Sequence, residues 1–202
     1  MTLVYVLLGL VVFVIVARVH SLVAPMPFPP WLTPILEGPM RRVLAPREHT
    51  VDRAGIGRGM RVLEVGPGGG YVTELLVERV GPTGRIVCLD LQPAMLHKVR
   101  ARLGPGATDL VAASGSVLPF RAGTFDAVLL VSVLGEIPDR AGAVREYARV
   151  LRPGGVLALS EALPDPDYVR THVARQLATA AGLEVGERTG TWVHRTHRFV
   201  RR

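Results

Sequence analysis

The run Val62-Leu63-Glu64-Val65-Gly66-Pro67-Gly68-Gly69-Gly70 constrains this chain more than any other stretch. An apolar strand breaks into glycines at alternating positions and then feeds a helical pattern of Val72, Leu75, Leu76 and Val80. Without Cβ atoms the backbone can turn sharply and pass close to a bound ligand, the design of a nucleotide-cofactor loop. The spacing narrows the ligand. A dinucleotide-binding loop, Gly-x-Gly-x-x-Gly, would need glycine where Tyr71 stands, and here Pro67 separates the first two glycines.

Downstream runs fall at matching distances. Arg85-Ile86-Val87-Cys88-Leu89-Asp90 ends in a carboxylate about twenty residues after the glycines, where an acid can accept hydrogen bonds from both ribose hydroxyls of a nucleoside. Three more runs follow: Ser114 to Phe120, Phe125 to Leu134, and Leu151-Arg152-Pro153-Gly154-Gly155. With Glu64 two residues before the first glycine, the set resembles the class I S-adenosylmethionine-dependent methyltransferases of the "type 11" and quinone-methylating kind. The resemblance covers residues 55 to 202. It implies S-adenosyl-L-methionine as cofactor and S-adenosyl-L-homocysteine as product. Carried onto this sequence, the cofactor residues are Glu64, Gly66, Gly68, Gly70, Asp90, Leu91, Met95, Ser114, Gly115 and Val131. One position departs from the family. Its Gly-Asp-Ala before Leu-Pro-Phe, whose Asp holds the adenine amino group, is here Ala113-Ser114-Gly115, and a serine hydroxyl is the weaker acceptor.

The 202 residues have room for one α/β domain and a short appendage. The single cysteine, Cys88, sits in an apolar strand run and belongs to no disulfide framework. The net charge of +7, almost all arginine, points to an anionic partner surface. The N-terminus favours lipid: from Leu3 to Ala17 no residue is charged, and apolar character resumes at Leu22 after Arg18 and His20. As a helix, Met1 to Ala17 would rise about 26 Å, and extension to Ala24 with Arg18 snorkelling reaches the roughly 30 Å of a hydrocarbon core. Residues 1–24 therefore read as a membrane anchor helix. The arginines all follow this run, which places the catalytic domain on the cytoplasmic side of the cell membrane. Residues 25–54 read as a Pro-rich, stiff extended spacer through Pro34 and then a pair of short amphipathic helices interrupted at Pro39 and Pro46.

After Gly59 the hydrophobic periodicity predicts strands near 61–66, 85–90, 108–113, 125–131 and 155–160, with helices near 70–80, 93–103 and 140–151. A last helix near 168–181 precedes Leu183 to Arg188, and residues 191–200 alternate as a half-covered strand. The resemblance implies a Rossmann-like α/β fold: a seven-stranded, mostly parallel sheet with helices on both faces and its last strand antiparallel. Ligands of such sheets lie beyond the carboxyl ends of the strands, which gathers Gly66 to Gly70, Asp90, Ser114 and Val131 to Glu136 around one cleft. No insertion after the fifth strand is long enough to form a lid, so the acceptor site is covered by residues 25–54 or left open.

Methyl transfer is an in-line displacement at a sulfonium methyl. It needs no metal, and positioning and desolvation do most of the work. An amine, phenol or activated ring carbon wants a base. The candidates are Tyr71, Glu136, His49 and Glu161, each with a plainer reading: packing over the cofactor for Tyr71, turn organisation for Glu136, a surface histidine for His49, a solvated loop acid for Glu161. His194 and His197, three apart in a strand, face opposite sides and do not suggest a metal site. No Asn/Asp-Pro-Pro-Tyr-type motif follows the fourth strand, which disfavours nucleic acid. The sequence thus reads as a membrane-anchored methyltransferase for a lipid or lipid-soluble acceptor, with the amino headgroup of phosphatidylethanolamine first. Its alternatives are a prenylquinone (menaquinone-type) C-methyltransferase and a non-catalytic S-adenosylmethionine-binding membrane protein.

Overall fold

The computed structural model describes residues 28–163, 165 and 167–202. The expected anchor, residues 1–24, lies outside the described residues, and among those described no helix is long and apolar enough to cross a membrane.

Seven strands among these residues form one sheet in the order β3-β2-β1-β4-β5-β7-β6. They are β1 (Arg61–Val65), β2 (Arg85–Asp90), β3 (Asp109–Ala112), β4 (Phe125–Val131), β5 (Leu151–Ala162), β6 (Leu183–Gly190) and β7 (His194–Arg201). Strands β1 to β5 pair in parallel and β7 runs antiparallel between β5 and β6. The central strands β1 and β4 are buried on both faces, which is why their sequences are dominated by Val and Leu and do not alternate.

Before the sheet come α1 (Thr33–Leu36), α2 (Pro39–Leu44) and α3 (Arg47–Ala54); within and after it come α4 (Tyr71–Val80), α5 (Pro93–Leu103), α6 (Arg140–Val150) and α7 (Thr171–Ala180). Val51 and Ala54 of α3, Val72, Leu76 and Val80 of α4, and Leu96 and Val99 of α5 fill one core with Val62, Ile86 and Leu129. On the other face Val144 and Tyr147 of α6 and Ala174 and Ala178 of α7 pack on Leu63, Val65, Leu130 and Leu157. Truncating one of these wholly buried residues, such as Leu76→Ala, removes about 2–5 kcal/mol.

Two expectations need correction. The Pro-rich spacer is not extended throughout: Pro30–Leu32 form a 3-10 turn that runs into α1. Proline is compatible with the first turn of a helix, where its missing N–H would have had no partner and its φ is already set. Strand β5 begins at Leu151, not near 155, because Leu151 pairs with Phe125 across a register shift before Gly154 (φ 76°). Leu-Arg-Pro-Gly-Gly reads as a turn, yet its turn is a bulge inside the strand.

Candidate active site

The glycine loop leaves β1 at the centre of the sheet. Gly66, Gly68 and Gly70 have φ of 70°, 57° and 85°, so all three alternating glycines take left-handed backbone that side chains avoid. A Cβ on Gly66 would also run into Val133 after β4. The Gly66 N–H donates to Leu89 O at 2.8 Å, which seams the loop to β2, and space is open beside Gly68. Beneath the loop, Glu64 is buried; its Oε2 accepts from Thr73 Oγ1 at 2.6 Å and faces Cys88 Sγ at 3.8 Å. Burial pushes its carboxyl up to about 7 against the pull of those hydrogen bonds. Glu64 braces the start of α4 from inside the fold.

Asp90 ends β2 half-buried. Its Oδ1 accepts from Gln92 N at 2.8 Å, and among the described residues its Oδ2 has no protein donor. Desolvation raises its pKa and the Gln92 hydrogen bond opposes this. A carboxylate with one oxygen fixed and one unclaimed, beside a left-handed glycine loop, fits the ribose of a nucleoside cofactor. Leu91 next to it is exposed; Met95, in the first turn of α5, is buried with its Sδ 3.7 Å from Thr33 Oγ1. Ser114 and Gly115 follow β3, both half-buried, with Ser114 Oγ accepting from Ser116 N at 3.2 Å. A Cβ on Gly115 would press on Ile137, Tyr147 and Val65 at 3.1, 3.2 and 3.3 Å. Val131 closes β4 opposite Ser160. The expected cofactor residues other than Glu64 and Met95 thus lie along the carboxyl edge of β1 to β4.

Residues 28–37 cover this edge. Phe28 is held by its main chain: its N–H donates to Glu136 Oε2 at 3.2 Å and its carbonyl accepts from Gln92 Nε2 at 2.9 Å. Thr33 and Glu37 fill the space a Cβ on Gly69 would need, and Glu37 is ion-paired to Arg102 of α5. This strap covers the edge in place of a lid after β5, within the 25–54 range expected; its contacts through Thr33 and Glu37, and Gln92 after β2 that anchors it, were not singled out by sequence reasoning. The available signal was negative: no other segment is long enough.

The proton-transfer candidates separate into two groups. Glu136, in a 3-10 turn after β4, and Glu161, at the end of β5, both feel the charge of Asp165, and Glu136 also that of Asp167 and Asp90. Burial is the main force on each, reinforced by repulsion from Asp165, and both carboxyls are pushed up to about 8. Glu161 is buried, with Oε2 accepting from Val169 N at 3.2 Å, and is no solvated loop acid. Asp139 caps α6 through Gly142 N at 2.8 Å, and Glu136 holds the Phe28 N–H. Arg41 of α2 reaches the same field; its pKa is lowered by burial and supported by Asp165, Glu161 and Tyr71. Ser132, between β4 and this turn, is the one non-glycine with positive φ (56°) among the described residues. Such strain is characteristic of functional sites.

Tyr71 and His49 stand elsewhere. Tyr71 opens α4 with its ring 5.0 Å from the Arg47 guanidinium and 5.7 Å from that of Arg42. It helps line a surface cavity of about 230 Å³ with Arg42, Arg47, Glu48, Glu74 and Arg102, a lining that contains neither Glu136 nor Glu161. His49 is exposed on α3. The two histidines of β7 tie the sheet to its helices. His194 Nε2 lies 3.2 Å from Thr50 Oγ1 of α3 and 3.1 Å from Ser160 Oγ; His197 Nε2 lies 3.3 Å from Thr171 Oγ1 of α7, on the opposite face of β7. Among the described residues no cluster of His, Cys, Asp and Glu could hold a metal.

A glycine loop after β1, a ribose carboxylate after β2 and a sheet of this order with β7 reversed define the class I S-adenosylmethionine-dependent methyltransferase architecture. Residues 63–159 match the family Methyltransf_11, a methyltransferase domain. The ubiquinone/menaquinone biosynthesis C-methyltransferase UbiE of Idiomarina loihiensis is 36% identical over 119 residues, 57% of this chain and 47% of that protein. The chain therefore spans about half the length of the curated relatives it matches. A SAM dependent methyltransferase from Aquifex aeolicus superposes with a TM-score of 0.77 at 22% identity, covering 86% of this chain and 98% of its own. The [4+2]-cyclase SpnF does so with 0.62 at 22%, covering 71% and 57%. Residues 63–159 thus form a methyltransferase domain, and over about that stretch the chain is similar to S-adenosylmethionine-dependent methyltransferases.

Proposed function

We propose that the chain moves a methyl group from S-adenosyl-L-methionine to a ring carbon of a hydroxylated, lipid-soluble acceptor of the prenylquinol kind. The observation that carries this is the donor character of the acceptor region. Glu136 and Glu161, both with pKa near 8, are largely protonated at pH 7 and stand with the Arg41 guanidinium, a set that suits the oxygens of a quinol. An ammonium headgroup would want fixed carboxylates there. Support for the phosphatidylethanolamine headgroup is correspondingly weaker, and the name carried by the curated relatives points the same way.

The cofactor supplies an electrophilic sulfonium methyl and leaves as S-adenosyl-L-homocysteine. Asp90 and the glycine loop hold its nucleoside, and the strap over Gly69 excludes water. Glu136 or Glu161, once ionised, would take the acceptor hydroxyl proton; the oxyanion's electron density would form the new C–C bond at the ring carbon as the S–CH3 bond breaks, and the ring would be restored as that carbon loses its proton to water and the carboxyl returns its own to the oxygen. Arg41 stabilises the oxyanion.

The fold alone does not dictate methyl transfer, since SpnF, a [4+2]-cyclase, shares it. The test is transfer of labelled methyl from S-adenosylmethionine to a demethylated prenylquinol or to phosphatidylethanolamine, each in mixed micelles. Label in the quinol, with a rate rising through pH 8, supports the reading. Label in the phospholipid alone replaces the acceptor, and cofactor binding without label in either supports the non-catalytic alternative.

A further inference from the structure

The large apolar side chains that face water among the described residues gather at one end of the molecule. Trp31 lies on the strap over the carboxyl edge, and Val43 and Leu44 on α2, whose Arg42 stands over Tyr71 next to the glycine loop, with Trp31 75% and Val43 78% exposed. Leu91 follows β2 at that edge. Trp192, 74% exposed, sits between β6 and β7, and the pairing of His194 with Ala162 brings it to the carboxyl end of β5. Val117 follows β3, its N–H bonded to Ser114 O, and Val185 of this set lies on edge strand β6.

Arginines rim the same end. Arg42, Arg53 and Arg195 form no ion pair among the described residues: Arg42 bonds the Glu37 carbonyl, Arg53 the His194 carbonyl at 3.1 Å, and Arg195 the Trp192 carbonyl at 3.0 Å. Exposed tryptophans with unmatched arginines are the composition of a protein surface that rests in a lipid headgroup layer. The charge-free run from Leu3 to Ala17 lies upstream of Phe28, whose main chain is fastened at this edge. A second protein would need neither that run nor its attachment at this end.

We propose that the carboxyl end of the sheet docks on a bilayer bearing anionic headgroups, with Trp31 and Trp192 both in the interface and the mouth of the cleft facing the lipid. Docking is separate from the acceptor's identity, so it stands or falls by a measurement that involves no turnover.

Trp192 is the informative probe, because a tether at the N-terminus alone does not bring the β6–β7 turn into lipid. In the full chain carrying Trp31→Phe, Trp192 is the sole tryptophan. With phosphatidylcholine/phosphatidylglycerol vesicles its emission should shift to the blue, and bromine on the acyl chains should quench most of it. A tryptophan placed by Val185→Trp in a Trp31→Phe, Trp192→Phe background should keep its emission. Val43→Glu with Leu44→Glu, at exposed positions where folding is not at stake, should sharply reduce quenching of Trp192. Flotation of the chain with Trp192 unquenched would mean a tether without docking and overturn the proposal. Equal quenching at positions 185 and 192 would mean unspecific adsorption and overturn it too. A concentration-dependent dimer that dissociates in Val43→Glu/Leu44→Glu, without Trp192 quenching, would assign the face to a second copy of the chain.

Discussion

Replacing Glu136 by glutamine isolates the consequence of burying an acid at the acceptor edge. The amide keeps an oxygen to accept the Phe28 N–H but cannot ionise. In the wild type the carboxyl titrates near 8 in the folded state against an ordinary 4.5. The sign follows from linkage. Above pH 4.5 the unfolded chain has shed this proton while the folded chain still holds it, so stability falls as pH rises and levels off above about 8. At about 1.4 kcal/mol per pH interval, the loss from pH 6.5 to 8.5 is at most about 2 kcal/mol for this one group. For a chain of this size that corresponds to roughly 4–8 °C in melting temperature. Thermal unfolding of wild type and Glu136→Gln at both pH values measures it: the variant should gain that difference at pH 8.5 relative to pH 6.5. His194 and His197, held down to about 4, affect stability mainly below pH 6.5 and leave this window undisturbed. Identical pH dependence in the two proteins would show that Glu136 is ionised in the fold at neutral pH, and the donor argument for a quinol acceptor would fail with it.

Asp90→Ala should weaken S-adenosylmethionine binding by about 2 kcal/mol, roughly thirtyfold, read by calorimetry. Gly66→Ala forces a side chain into left-handed backbone and against Val133, and should abolish cofactor binding along with at least about 1 kcal/mol of stability in urea titration. Glu161→Gln should cut turnover far more than cofactor affinity and flatten the pH–rate rise near 8; an unchanged profile would move the base role to Glu136. Thr50→Val leaves His194 with one hydroxyl partner fewer and should cost about 1 kcal/mol without altering cofactor affinity.

The half of the molecule that holds the cofactor was legible because its information is local. Alternating glycines, an acid at the end of the next apolar run and a helix start after each strand are written in consecutive residues, and β1, β2, β4, α4, α5 and α6 form within a residue or two of where periodicity puts them. The covering segment was legible by elimination within residues 25–54, but its contacts were not. Phe28 meets Glu136 across 108 positions, Glu37 meets Arg102 across 65 and Thr50 meets His194 across 144, and no period in the sequence encodes such pairings. The error about Pro30 had the same origin, since proline signals a stop or a start and only the turn that follows tells which.

That illegible contact bears on chemistry more than on shape. Glu136 and Glu161 were visible as acids at strand ends, but whether such an acid is a charged base or a neutral donor depends on what lies over it. The strap lies over Glu136, both carboxyls are buried, and Asp165 sets a like charge near each, which moves them across neutral pH. A preference between an ammonium and a phenolic hydroxyl therefore resides in a cover assembled from distant segments, while the motifs that recruit the methyl donor are indifferent to it. Relatives that keep the glycine loop and Asp90 but carry a different cover are accordingly expected to keep the cofactor and change the acceptor.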